Sequence, residues 1–445
     1  MSGSNASNNS AGATGESVMR ISGLIAAALM LPVAVSASET GELLTSHLYA
    51  GTLGEGQAAL VAGKDAGEAE ACFGWSMLQL AASFEGLAQD LYRYGATTPG
   101  TPAAAMLLGV GMVEDAVPAN PDPEALSYAA LRSVIGDFRD DIALAQTSFE
   151  CGGDANATYV VPVDVLAARI DFNGDGQTSD GETLGAFLAP LLGEFEEMPA
   201  APALDAKSKS KGVAAAPDST VGFDTADAIW LAGYTQVIKL QLDLVLAHDF
   251  EDFFNAYLHR VFPLSGLPMQ DYSQGGFLLM DPDSDAGIAD IIAAIHTLNF
   301  PVIDKPLLAS IPAQLKHVTA LSRQNWDLIL AETDDDRELL PGPTQSSLFG
   351  AAEVNAEMVA AWRETLDVLD QVFDGQLLVP HWRFTQGFDL KAYFETAERT
   401  DLVMLLTGQG ALPYLKDGPI ADADSFAAAN TAFGDAFFNY AFWFN

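Results

Sequence analysis

Asp171-Phe172-Asn173-Gly174-Asp175-Gly176-Gln177-Thr178-Ser179-Asp180-Gly181-Glu182 is the stretch from which the rest of the chain is read. Asp171, Asn173 and Asp175 put short oxygen-bearing side chains at the first, third and fifth positions. Gly176 stands at the sixth, where a chain that wraps its side chains around one point needs a positive φ. Gln177 at the seventh offers a backbone carbonyl, and Ser179 at the ninth acts directly or through a water. Glu182 at the twelfth offers both oxygens of its carboxylate. A hard cation takes six to eight oxygens, and this spacing supplies them from one short segment. The flanks read as helices: 163–170 entering, with Pro162 near its first turn, and 183–188 exiting.

The pattern D-x-N-x-D-G-x-x-x-x-x-E resembles the EF-hand family over about thirty residues. That resemblance implies calcium as the bound ion, with Asp171, Asn173, Asp175, Gln177, Ser179 and Glu182 as its ligands. Two departures stand out. Thr178 occupies the eighth position, where the family usually has an aliphatic residue that pairs with a second loop, and the sequence holds no second complete loop. The plainer alternative is an Asp/Gly-rich turn that binds nothing. A stretch opening at Asp281 starts in the same way but has Ala286 at its sixth position and Ile292 at its twelfth. Asp285 there is read as the cap of a helix that starts at Ile288.

Composition narrows the function classes. The chain has 445 residues, 60 acidic and 20 basic, and a formal net charge of -40. A surface this negative repels phosphate backbones and anionic headgroups, so nucleic acid and acidic membranes are not expected partners. At 49% apolar residues the chain has enough to build a core and is not a disordered acidic tail.

Met19-Arg20 followed by an apolar run over 21–33, then Val35-Ser36-Ala37, reads as a signal peptide cleaved near Ala37. The run is too short for a comfortable membrane span, so no integral span is expected in the mature chain. A periplasmic or secreted location follows, with calcium available there. Export bears on Cys72 and Cys151, the only two cysteines. An oxidising compartment favours a bridge between them, and two buried thiols that never meet is the other reading.

Around the loop the apolar spacing is helical almost throughout, and the expected fold class is all-α. Residues 38–195 form an N-terminal helical domain that carries the loop at 171–182. Within it, 50–75 resembles a tetratricopeptide-type helical hairpin over about one repeat, without a second copy at a fixed period. Residues 196–222 hold Pro199, Pro202, Pro217 and Lys207, Lys209 and Lys211, a composition suited to a flexible linker. Residues 223–445 form a second helical domain or lobe, and 1–37 precede the first. Only 159–161 and 377–379 read as short strands.

Three functions fit. The first is an exported, calcium-stabilised helical protein that binds or scaffolds other proteins. The second is a metal-dependent enzyme. One continuous helix over 226–261 would place His248, Asp252 and His259 within about 40° of one another, a face suited to zinc. A solvent-facing polar stripe is the plainer reading of that face. The third is a calcium sensor, against which the single loop argues. No nucleophile elbow is present, so an enzyme is the less expected outcome.

Overall fold

Helix starts follow the short polar residues that precede them. Ser38, Ser127, Asp224, Asp304, Asn355, Asp389 and Asp401 each accept a backbone N–H from the first turn that follows. Each satisfies a donor that the helix itself leaves open. The structure, a computed structural model, describes residues 38–97, 120–186, 219–269, 282–333, 338–346 and 354–444. Contacts divide the chain at Ser36, and the unit Ala37–Asn445 carries every element described below. The expected signal peptide, the three linker lysines and Asp281 lie outside the described residues.

The elements run α1 (Glu39–Ala50), α2 (Leu53–Ala66), α3 (Ala69–Arg93), α4 (Tyr128–Gly152), β1 (Val161–Asp164), β2 (Thr220–Phe223), α5 (Thr225–Leu246), α6 (Glu251–Tyr257) and α7 (Pro282–Thr297). After them come β3 (Asn299–Pro301), α8 (Lys305–Ile329), α9 (Ala356–Phe373), β4 (Gly387–Phe388), α10 (Leu390–Thr396), β5 (Arg399–Asp401), α11 (Leu402–Thr407), β6 (Leu415–Lys416), α12 (Ala427–Phe433) and α13 (Phe437–Phe444). The protein is predominantly helical, as the apolar spacing predicts. The strands pair antiparallel as β1–β2, β3–β5 and β4–β6.

The main core forms where α3, α4 and α5 lie side by side. Phe73 on α3 meets Phe149, Tyr159 and Phe223 at ring-centroid distances of 6.2, 5.6 and 5.6 Å. Cys72 and Cys151 are joined by a disulfide with Cα atoms 5.8 Å apart, so α3 and α4 are covalently tied at this core. Leu44, Leu60, Leu78, Val221, Ile229 and Leu321 belong to the same buried cluster. Residues from both sides of 196–222 therefore contribute to this core. The expected linker also ends early, because 220–223 is strand β2, paired with β1 from Val161↔Phe223 to Asp164↔Thr220.

Three helical expectations are corrected. The stretch 163–170 is not an entering helix: it is strand β1, then a single 3₁₀ turn, Val165–Ala167. Val161 and Val163 are buried while Pro162 between them is exposed, which is strand alternation in β-branched residues. The helix expected over 226–261 breaks between α5 and α6. His248 bridges to Val302 there, and Arg132 donates to the carbonyls of Leu246 and His248 at 2.8 and 2.7 Å. Asp285 lies inside α7 rather than at its cap, because that helix already starts at Pro282.

A second core holds the C-terminal end. Phe444 packs on Trp326 at 4.6 Å and edge-on to Trp362 at 5.8 Å. Ser322 links them, accepting from Trp362 Nε1 and donating to the Phe444 carbonyl.

Candidate metal centre

The stretch 171–182 closes on itself by hydrogen bonds to its own side chains. Asp171, largely buried, accepts from Gly174 N at 2.7 Å and Asp175 N at 3.3 Å through Oδ1, and from Gly176 N at 2.8 Å through Oδ2. Asn173 Oδ1 accepts from Asp175 N and Asp175 Oδ1 from Gln177 N, both at 2.8 Å. Gly174 and Gly176 take φ of 73° and 77°, which only glycine adopts without strain. Glu182 folds back, and its Oε2 accepts from Ser179 N at 2.7 Å. Its other oxygen, Oε1, is buried with no hydrogen-bond partner.

The ends of the loop are held together as a short antiparallel pair. Arg169 bridges to Thr183, Ile170 N donates to the Glu182 carbonyl, and Leu184 N donates to the Ala168 carbonyl. Thr183 then caps the start of a helical turn through Ala186 N. The exiting helix is thus present up to residue 186, and the remainder of 183–188 lies outside the described residues.

In place of an entering helix, α3 and α1 hold the loop. Glu85 Oε2 accepts from Asp171 N at 2.8 Å, and Gln89 Nε2 donates to the Asp171 carbonyl at 2.9 Å. Both backbone groups of the first loop position are therefore taken by α3. The Leu48 carbonyl accepts from Arg169 N, and the Ala50 carbonyl accepts from Thr178 Oγ1 at 3.1 Å. Thr178, the departure at the eighth position, thus docks on the end of α1 where the family has a second loop. Burial raises the Glu85 pKa, and the nearby carboxylates of Asp171 and Glu182 push it in the same direction against the Asp171 N–H bond. Glu85 and Gln89 could not be found from loop spacing, because they lie over eighty residues away on α3.

The donor chemistry fits a hard cation. The oxygens are carboxylate, amide, hydroxyl and carbonyl, and one carboxylate oxygen is buried and unpartnered. Among the described residues no three His, Cys, Asp or Glu side chains are grouped so as to hold a metal by themselves. A site here would be completed by the other oxygen types, those of Asn173, Gln177 and Ser179.

His248, Asp252 and His259 are not brought together. His248 is buried, with Nδ1 donating to the Leu244 carbonyl and Nε2 facing Thr400 Oγ1, both at 2.6 Å. Burial lowers its pKa and so favours the neutral ring, in which, with Nδ1 donating, Nε2 accepts from Thr400 and Thr400 from Tyr393. His259 Nε2 meets Asp290 on α7 at 3.1 Å, and Asp252 is exposed on α6. The break after α5 destroys the helical phase on which the expected face depended.

A cleft of about 340 Å³ lies elsewhere, lined by Arg132, Gly136, Arg139, Asp140, Asp243, Leu246, Asp304 and Leu307. Its buried carboxylate is already engaged. Asp243 accepts from Arg139 at 2.6 Å, Lys239 at 2.8 Å and Gln314 at 2.9 Å. Burial alone would raise its pKa, but these three bonds outweigh it and hold the carboxyl below its ordinary value. No helix among the described residues is long and apolar enough to cross a membrane. No protein-family model, curated protein or solved structure matches this chain.

Proposed function

We propose that the protein is an exported, calcium-binding helical protein. The stretch 171–182 is its EF-hand-type site, and the ion serves a structural role in a scaffold that binds other proteins. The observation that carries the calcium reading is the closed loop itself. Two positive-φ glycines and the Asp171 carboxylate shape it, and Glu182 returns with one buried oxygen free. Asp171, Asn173, Asp175, Ser179 and Glu182 would hold the ion through side-chain oxygens, and Gln177 through its carbonyl. The Cys72–Cys151 disulfide supports export, since such bridges persist in oxidising compartments. Ser38, next to the expected cleavage point, caps α1 and donates to Glu70. Ile288, Ile291, Ile292 and Ile295 form an exposed apolar stripe on α7, which supports a protein-binding role.

A loop without a pairing partner and with three carboxylates binds calcium weakly, with an expected Kd of about 10⁻⁵ to 10⁻³ M. Binding to the folded state alone adds roughly 1 to 3 kcal/mol at ten to a hundred times Kd. The test is a thermal melt of the wild type and Glu182→Gln, each with calcium and with chelator. Calcium should raise the wild-type Tm and leave the variant unmoved. Equal calcium shifts in both proteins would place the ion elsewhere.

A further inference from the structure

We infer that Glu85 on α3 belongs to the cation site as a positioning and charge-setting residue, an inference that rests on the calcium reading above. Its carboxylate takes the backbone N–H of Asp171, the residue that opens the loop. Four residues further along α3, Gln89 takes the carbonyl of the same residue. Residues four apart share a helix face, so one face of α3 grips the first ligand position from both sides. That grip does the work of the missing entering helix. Glu85 also adds a carboxylate beside the first loop position, where the charges of Asp171 and Glu182 each act on it. Like charges at close range destabilise the empty loop and favour the loop that holds a divalent cation.

The two roles separate by chemistry. In Glu85→Gln the amide oxygen still accepts the Asp171 N–H, so the grip remains and only the charge is removed. With the charge gone, the empty protein should melt at the same or a higher temperature, while calcium affinity should fall about tenfold. A residue with a purely structural role would lower the melting temperature of the empty protein instead. In Glu85→Ala the acceptor goes as well, so both the Tm without calcium and the affinity should fall. Glu55→Gln, on the exposed face of α2, controls for net charge and should change neither.

The experiment is a calcium titration by calorimetry on the full mature chain, with melts in chelator, for wild type, Glu85→Gln, Glu85→Ala and Glu55→Gln. Weaker binding in Glu85→Gln, with no loss of stability in chelator, is the expected result. Wild-type affinity in Glu85→Gln would overturn the inference while leaving the calcium reading intact. Absence of calcium binding by the wild type would end both.

Discussion

Asp243 shows how a single side chain organises its surroundings. It has no exposed surface, and it gathers Arg139, Lys239 and Gln314 from α4, α5 and α8. An ion pair this enclosed adds modest net stability, but breaking it leaves charges without a partner. Asp243→Asn keeps the shape and removes the negative charge that two cations face. We expect a loss of about 3 kcal/mol, read as a lower urea midpoint with an unchanged m-value. His248 is legible in the sequence only as a histidine in an apolar helical stretch. Its use, donating to Leu244 and accepting from Thr400, depends on a residue 152 positions away. No local spacing could reveal that partner, so the metal face read from helical phase had no means of correcting itself.

Among the elements, the docking of the loop on α1 carries its own test. Gly51 ends α1 at a φ of 68°, and a Cβ there would come within 2.4 Å of Thr178 Cγ2. Gly51→Ala therefore costs both backbone strain and the contact that replaces a second loop. A destabilisation of about 2 kcal/mol is expected, with a smaller calcium-induced Tm shift than in the wild type. Thr178→Val keeps the volume and removes the bond to Ala50, so it should cost only about 1 kcal/mol. The disulfide between α3 and α4 closes a separation of 79 residues and should contribute roughly 4 kcal/mol by constraining the unfolded chain. A double Cys→Ser variant should lower Tm, and added reductant should lower the wild-type Tm to match. The helical class and the Asp/Gly spacing of 171–182 are readable because their signals are local. What stayed hidden is set at long range. β1 forms because β2, at the end of the expected linker, supplies its hydrogen bonds, and α5 ends without Gly or Pro where Arg132 donates to the Leu246 carbonyl.

At the scale of the whole molecule, the charge balance of -40 makes stability a question of pH and salt. Two sets of carboxyls act in opposite directions. Asp243 and Asp389 are buried and Asp290 partly so, yet hydrogen bonds from Arg139, from Lys416, and from His259 and Arg260 hold their respective pKa values below normal. Their contribution is present above the unfolded carboxylate pKa and is lost as pH falls through the folded values. Glu332 behaves in the opposite way. Burial first, then the charges of Asp224 and Glu338, raise its pKa to about 8 despite the bond from Gln345. Asp227, buried near Asp224 and Glu338, is raised well above its ordinary value for the same reasons. Between the unfolded and folded pKa of Glu332 the native state keeps a proton that the unfolded chain has lost, so stability falls as pH rises. Stability should therefore peak in mildly acidic solution and decline toward pH 8. Salt should flatten the decline by screening repulsion among surface acids, but should leave most of the Glu332 contribution, which arises from burial. Glu332→Gln removes the proton binding while keeping an acceptor for Gln345. At pH 8 the variant should be more stable than the wild type by about 2 kcal/mol, allowing for the partial exposure of this carboxyl, and the two should converge near pH 5. Urea unfolding at pH 5, 6.5 and 8 checks this, and parallel wild-type and variant profiles would mean that Glu332 is ionised throughout.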